Sequence, residues 1–208
     1  MAPQSAPQRA LYAVTSSGPR LLRAAAGEVG VHQLVEGLPD GVYTALRTYA
    51  HRRFLFLDAH LERLERNLKA LGFGLPLDRS ALEAALDRLV SDYPLADARV
   101  RIDVLPEPPA DYDTQATVLI ALAPHEPVPE ELLAHGVAVR LTATLRREQP
   151  EIKKTRFVLE RRPFPLQTRE CYEHVLVDET GRLLECTSAN FFGVRRGALW
   201  TVRERVLE

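Results

Sequence analysis

A short apolar run near the middle of the chain most constrains its fold. Residues 116–123 read ATVLIALA. A run of this length without a charge is typical of a strand that is buried on both faces in the centre of a sheet. Just before it, residues 99–104 alternate charged and apolar side chains, which predicts a half-buried strand. Residues 10–14, 42–49 and 54–57 also read as strands, so the first half of the chain should contain a sheet.

Two segments with leucines at helical spacing are predicted to cover this sheet. The leucines are Leu61, Leu64, Leu68 and Leu71 in the first segment and Leu82, Leu86 and Leu89 in the second. Each segment is apolar on one face only, as expected for a helix that packs on a sheet. Asp58 and Ser80 are the predicted N-caps.

The second half of the chain is predicted to be rich in β-structure. Residues 172–178 and 183–186 read as paired strands, and a further hairpin should surround residues 195–197. The predicted class is α+β with two domains. The expected division is a disordered leader over residues 1–8, a small α/β domain over 9–123, a linker over 124–135 and a β-rich domain over 136–208.

Composition excludes several functional classes. The chain has 27 basic and 28 acidic residues, so no net charge attracts it to nucleic acid or to a membrane surface. Two cysteines predict neither a disulfide framework nor a zinc site, and no metal is expected. Because a signal peptide and a membrane-spanning run are both missing from the pattern, a cytoplasmic protein is expected.

The scarcity of lysine singles out one segment. The 27 basic residues include only three lysines, Lys69, Lys153 and Lys154. An arginine stays protonated and cannot form a Schiff base, whereas a lysine amine can lose its proton and react with a carbonyl group. The pair therefore indicates carbonyl chemistry, although two surface lysines in a loop would give the same pattern.

Three separated motifs carry a resemblance to a known family. They are DAHLERL at residues 58–64, Lys153, and GRLLECTSANFFGV at residues 181–194. In this order and spacing they resemble the class IV, or fold type IV, pyridoxal-phosphate enzymes, over roughly residues 40–208. That family includes branched-chain and D-amino-acid aminotransferases and aminodeoxychorismate lyases. The resemblance implies a small α/β N-terminal domain followed by a barrel-like domain that binds the cofactor.

The resemblance also implies roles for individual residues. Lys153, 32 positions before Glu185, matches the lysine that holds pyridoxal phosphate (PLP) as an internal aldimine and acts as the catalytic base. Lys154 is the alternative for this lysine. Glu185 matches the partner of the pyridine nitrogen, and Arg63 matches the arginine that binds the cofactor phosphate. Thr187 and Asn190 are expected to fix the backbone near the cofactor.

Substrate and assembly are implied more loosely. Tyr43, Arg47 and Arg101 are candidate residues for the substrate pocket, because the small domain of the family contributes to it. The expected substrates are an amino acid and a 2-oxo acid, and the expected assembly is a homodimer. Neither a nucleic acid nor a membrane is an expected partner.

Three departures from the family pattern matter. Phe157 stands where many members have a tyrosine near the cofactor's phenolic oxygen, and Pro106-Glu107 replaces an Arg-Gly pair of some members. The chain stops at Glu208, where a Gly-[Ile/Val]-Thr-Arg segment that binds phosphate is expected to follow, so the cofactor-binding domain is expected to be incomplete.

The activity favoured by these patterns is that of a PLP-dependent aminotransferase. One alternative keeps the cofactor and changes the reaction to that of a 4-amino-4-deoxychorismate lyase, which eliminates pyruvate. The other is a non-catalytic binding protein derived from the family.

Overall fold

The structure is a computed structural model that describes residues 6–27, 29–50, 52–74, 76–145, 152–160, 164, 168 and 170–202. Residues 1–5 of the predicted leader lie outside the described residues. The chain divides into two compact units, Met1–Glu126 with Lys153–Thr155, and Pro127–Ile152 with Arg156–Glu208. A short segment around Lys153 therefore belongs to the first unit although it lies late in the sequence.

The first unit is a six-stranded sheet with helices on both faces. Its elements are β1 (Ala10–Thr15), β2 (Gly18–Ala24), α1 (Val31–Leu34), β3 (Val42–Tyr49), β4 (Arg53–Phe54), α2 (Leu57–Ala70), α3 (Arg79–Asp92), β5 (Ala98–Val104) and β6 (Val118–Pro124). The strand order is β2-β1-β6-β5-β3-β4, and every pairing is antiparallel.

The apolar run lies where it was predicted to lie. β6 runs between β1 and β5, and its residues 119–123 are buried, which confirms the central, two-sided strand. The half-buried assignment of β5 is wrong, because Arg101 and Asp103 are both 0% exposed. They lie on the face covered by α1, where they pair with each other.

The predicted leucine faces are confirmed on α2 and α3. Leu61, Leu64 and Leu68 of α2 are buried, as are Leu82, Leu86 and Leu89 of α3. Leu71, the fourth leucine predicted for the first face, is the half-buried C-cap of α2. The helix starts differ from the prediction. The N-cap of α2 is Phe56, with φ of 56°, so Asp58 lies in the first turn; the N-cap of α3 is Asp78, whose side chain accepts from Ala81 N. β4 ends at Phe54, shorter than the predicted strand over 54–57.

The second unit is rich in β-structure, which confirms the α+β class. Its elements are α4 (Glu130–His135, inside the predicted linker), β7 (Val139–Thr142), α5 (Thr155–Glu160, whose first residue still belongs to the first unit), β8 (Glu173–Val177), β9 (Leu183–Cys186), β10 (Phe192–Arg195) and β11 (Ala198–Thr201). β8 pairs with β7 in parallel and with β9 in antiparallel, and β10 and β11 form the predicted hairpin. Leu145, Phe157 and Leu176 are the buried centre of a small core.

Within the described residues, no helix is long and apolar enough to cross a membrane. The same part of the chain contains no group of three or more His, Cys, Asp or Glu side chains that could hold a metal ion.

Candidate active site

Lys153 is held by its backbone against the start of β3. Tyr43 N donates to Lys153 O (2.9 Å), and Thr155 N donates to Gly41 O (2.9 Å). A β-bridge between Val42 and Lys154 completes this short antiparallel pairing. This pairing uses the edge of β3 that does not pair with β5, at the end of the strand that the short β4 does not reach. The sheet of the first unit therefore fixes where Lys153 lies.

A polar cluster lies between β3 and α2 in the same unit. Arg63 Nη2 donates to Thr44 Oγ1 (2.7 Å) and lies 3.2 Å from His60 Nδ1. Thr44 Oγ1 lies 2.8 Å from the same ring nitrogen. Because arginine can only donate, His60 Nδ1 is an acceptor, and the Thr44 hydroxyl donates to it. Helical spacing places His60 and Arg63 on one side of α2, above Thr44.

The cluster carries excess positive charge. Burial lowers the pKa of His60, and the charges of Arg63 and Lys153 lower it further. Burial also lowers the pKa of Arg63. Arg63 Nε is buried and has no hydrogen-bond partner among the described residues. A guanidinium with a buried, unused donor, close to an ammonium and a neutral imidazole, is suited to an anion such as a phosphate group.

Electrostatics distinguishes the two neighbouring lysines. The charge of Lys153 is one of the causes that lower the pKa of His60 on α2. Successive side chains of an extended segment point to opposite sides, so Lys153 and Lys154 are expected to point in opposite directions. Both lysines are half-buried.

Glu185, Thr187 and Asn190 lie at the end of β9 and in the turn after it, in the second unit. Glu185 is half-buried, Thr187 is buried and Asn190 is exposed. Thr187 N donates to His174 O (3.0 Å), and Cys186 N donates to Ala189 O (2.8 Å). The turn is therefore tied to β8 and closed on itself.

Glu173 organises this turn and was missed in the sequence. Its buried carboxylate accepts from the hydroxyl groups of Thr187 and Ser188, from Ser188 N (3.2 Å) and from His174 N (2.8 Å). The only signal in the sequence is an acidic residue, followed by His174, at the start of a strand that continues as Val175-Leu176-Val177. Such a carboxylate fixes the backbone that follows Glu185.

Cys186 is placed for packing rather than for nucleophilic chemistry. Burial raises the pKa of its thiol to about 11, and the charges of Glu173 and Glu185 add to the effect. A thiol with this pKa stays protonated at neutral pH and is a poor nucleophile.

The three candidate substrate residues all have partners within the first unit. Arg101 is fully buried, pairs with Asp103 and lies over the Tyr43 ring, with its guanidinium carbon 4.0 Å from the ring centre. Arg47 contacts His125 and lies over the Tyr49 ring. A role for Tyr43, Arg47 or Arg101 in substrate binding stays a prediction.

The sequence matches the pattern of one family, described as amino-transferase class IV, over residues 41–208. No curated protein matches the chain significantly. A solved structure provisionally named as a 4-amino-4-deoxychorismate lyase is 27% identical, with a TM-score of 0.61; the match covers 86% of this chain and 69% of that one. A branched-chain aminotransferase from Thermoproteus uzoniensis, solved with norvaline, is 25% identical, with a TM-score of 0.59 and coverage of 88% and 65%.

A third structure shares the fold at lower identity. It is a hypothetical aminotransferase from Mycobacterium tuberculosis, solved with alpha-ketoglutarate and PMP bound, with 15% identity, a TM-score of 0.62 and coverage of 92% and 70%. The chain thus spans about two thirds of the length of the structures that it matches. Because the family pattern covers most of the chain and the fold agrees with the solved structures, this protein belongs to the class IV aminotransferase family, with the fold type IV architecture.

Proposed function

We propose that the protein is a PLP-dependent aminotransferase that moves an amino group between an amino acid and a 2-oxo acid. The observation that carries this proposal is the arrangement of Lys153 beside the cluster of Arg63, His60 and Thr44. The Nε of Arg63 is buried without a partner among the described residues, which supports Arg63 as the phosphate ligand and Lys153 as the amine of the same site. The family membership and the fold support the same cofactor.

Each residue of the proposed site has a separate role. Arg63 binds the phosphate group, and His60, whose pKa is lowered by burial and by the charges of Arg63 and Lys153, adds no positive charge of its own. When bound, PLP supplies a ring that accepts electrons from the substrate Cα. Lys153 is the base that takes the proton from that Cα atom. Glu185 would hold a proton at the pyridine nitrogen of the cofactor. Thr187, whose N–H donates to His174 O, would fix the turn that follows Glu185, and Asn190 is proposed to act in the same turn.

Borohydride reduction tests the assignment of Lys153. With PLP, reduction followed by peptide mapping should label Lys153 in the wild-type protein and in Lys154→Ala, and should label nothing in Lys153→Ala. Labelling of Lys153→Ala at the same level as the wild type would overturn the assignment. If no variant takes up a label, the protein is better described as a non-catalytic relative.

Arg63 is tested through affinity. Arg63→Met removes charge-assisted hydrogen bonds to the phosphate group, so the Kd for PLP should rise about 10- to 100-fold. Arg66 lies on the same helix with its side chain 69% exposed, and Arg66→Met is the matched control, expected to bind PLP as the wild type does. Equal loss in both variants would contradict a specific phosphate contact.

A lyase that releases pyruvate from 4-amino-4-deoxychorismate is the second candidate. It is supported by the 27% identity to the structure provisionally named as such a lyase. Amino-group transfer to 2-oxoglutarate from a panel of amino acids, measured beside pyruvate release from 4-amino-4-deoxychorismate, separates the two reactions. Pyruvate release without amino-group transfer would replace the first proposal with the second. The homodimer stays a prediction, and sedimentation measurements would test it.

A further inference from the structure

Asn67 joins α2 to the backbone of Lys153. Its side chain is 5% exposed and lies one helical turn after Arg63. In the amide orientation that satisfies both ends, Oδ1 accepts from Lys153 N (3.2 Å) and Nδ2 donates to Arg63 O (3.3 Å). In the opposite orientation the Asn67 NH2 group would face the Lys153 N–H, and the Asn67 oxygen would face Arg63 O. The two neighbouring groups therefore select the orientation of the amide.

The two neighbours require an amide at this position. Lys153 N can only donate and Arg63 O can only accept, so the side chain between them must do both from adjacent atoms. An aspartate would place a carboxylate oxygen against Arg63 O, and a leucine would leave the Lys153 N–H without this acceptor. Asparagine is a poor residue for a helix interior, so local helix propensity does not account for it.

Lys153 is thereby held from two directions within the first unit. Its N–H group donates to Asn67 on α2, and its carbonyl oxygen accepts from Tyr43 N on β3. The same helix carries Arg63 on the same side, because residues four apart share a helix face. The spacing between the Lys153 backbone and the Arg63 guanidinium is therefore set by one turn of α2.

We propose that Asn67 is a positioning residue that holds the Lys153 amine at a constant distance from the phosphate-binding Arg63. This inference rests on the proposed function, since it takes Lys153 as the amine and Arg63 as the phosphate ligand. The amine must meet the aldehyde of a cofactor whose phosphate is already bound, so an error in this spacing penalises covalent capture and leaves phosphate binding intact.

Two cofactor forms separate these effects. Pyridoxamine phosphate has no aldehyde, so its affinity reports on binding of the phosphate and the ring alone, whereas the affinity of PLP also includes coupling to the amine. Asn67→Leu should weaken PLP about two- to tenfold, the range expected for one lost hydrogen bond, and leave pyridoxamine phosphate unchanged. Asn67→Ser has a side chain too short to reach Lys153 N and adds no bulk, and it should show the same changes in the two affinities.

Hydrogen exchange gives a readout that does not depend on the cofactor. In the protein without PLP, both variants should speed exchange of the Lys153 amide by about two- to tenfold, while the amides of β5 and β6 keep their protection. Asn67→Asp keeps an acceptor for this amide and should preserve its protection. Lys69→Leu, an exposed position two residues further on, is the matched control.

The outcomes distinguish this inference from the proposed function. Unchanged Lys153 exchange and unchanged PLP affinity in both Asn67→Leu and Asn67→Ser would overturn the positioning role. Equal weakening of both cofactor forms, with faster exchange throughout β5 and β6, would reduce Asn67 to a structural residue and overturn it as well. Labelling of Lys153→Ala at the wild-type level would instead refute the assignment of Lys153 in the proposed function, whatever the Asn67 variants do.

Discussion

Arg101 and Asp103, two residues apart on one face of β5, form a fully buried ion pair. Arg101 Nε donates to Asp103 Oδ2 (2.8 Å) and Nη2 donates to Oδ1 (2.6 Å), with both side chains 0% exposed. His32 Nδ1 lies 2.9 Å from Arg101 Nη1, and the Thr155 hydroxyl donates to Asp103 Oδ1 (3.5 Å). The ion pair therefore links α1 to the segment that carries Lys153.

Removing one partner of this pair should lower the free energy of unfolding much more than replacing both partners with apolar residues. Arg101→Met leaves a buried carboxylate without its cation, and we expect the free energy of unfolding to fall by about 3–5 kcal/mol. The double variant Arg101→Met/Asp103→Leu removes both charges and should recover most of that loss. Urea unfolding measures both. Arg99→Met, at an exposed position of the same strand, is the control, and a double variant as unstable as the single one would contradict the prediction.

His60 should make stability depend on pH in a defined direction. Its folded-state pKa lies below the unfolded value because of burial and the charges of Arg63 and Lys153. The unfolded chain then binds more protons between the two pKa values, so stability is complete above the unfolded pKa of about 6.5 and is lost as pH falls through the folded pKa. His60→Gln should flatten the fall of unfolding free energy measured from pH 7.5 to 5.

Part of the slope should remain in His60→Gln, since burial and Arg47 lower the pKa of His125 as well. His135→Gln, at an exposed position of α4, is the control and should keep the wild-type slope. A steeper slope in His60→Gln would show that the sign is wrong.

Glu173 should stabilise the turn that follows Glu185. Glu173→Gln replaces an acceptor with a donor that faces the donors of Thr187 and Ser188, which leaves buried polar groups unsatisfied. We expect a loss of about 1–3 kcal/mol in unfolding free energy and faster amide exchange over residues 186–190. Glu170→Gln, whose side chain is 84% exposed, should change neither measurement. Equal stability of the two variants would refute the role.

Gly41 is required by close approach of the backbone. A Cβ atom there would lie 2.4 Å from Val104 O, at the point where Val42 pairs with Val104 and Gly41 O accepts from Thr155 N. Gly41→Ala must therefore shift the start of β3 or the end of β5, and we expect a loss of about 1–3 kcal/mol in the free energy of unfolding. At Gly74 no described atom lies within 4 Å of the added Cβ, so Gly74→Ala is the matched control and should be neutral or stabilising in thermal unfolding.

Features with a local cause could be predicted. The leucine faces of α2 and α3 and the central position of β6 follow from the periodicity of burial, which a single segment displays by itself. The two predicted N-caps were wrong. Asp58 and Ser80 have suitable side chains, but the left-handed conformation of Phe56 and the bond from Asp78 to Ala81 N determine where the helices begin.

Features that depend on distant partners could not be predicted. Arg101 and Asp103 read as the solvent side of a strand because a charged side chain is usually exposed, but α1, far away in the sequence, covers that face. Thr44, Asn67 and Glu173 carry no motif of their own. Each acquires a role from the residue that the fold brings to it.

The sequence by itself determined the family and the side chains that are candidates for the proposed chemistry: the amine of Lys153, the guanidinium of Arg63 and the carboxylate of Glu185. The tertiary structure alone decided how Lys153 is held. Its N–H and carbonyl groups are bonded to Asn67 and Tyr43, more than 80 residues earlier in the chain. A motif records the chemical type of a residue, whereas its position results from backbone hydrogen bonds between distant segments, which no local pattern encodes.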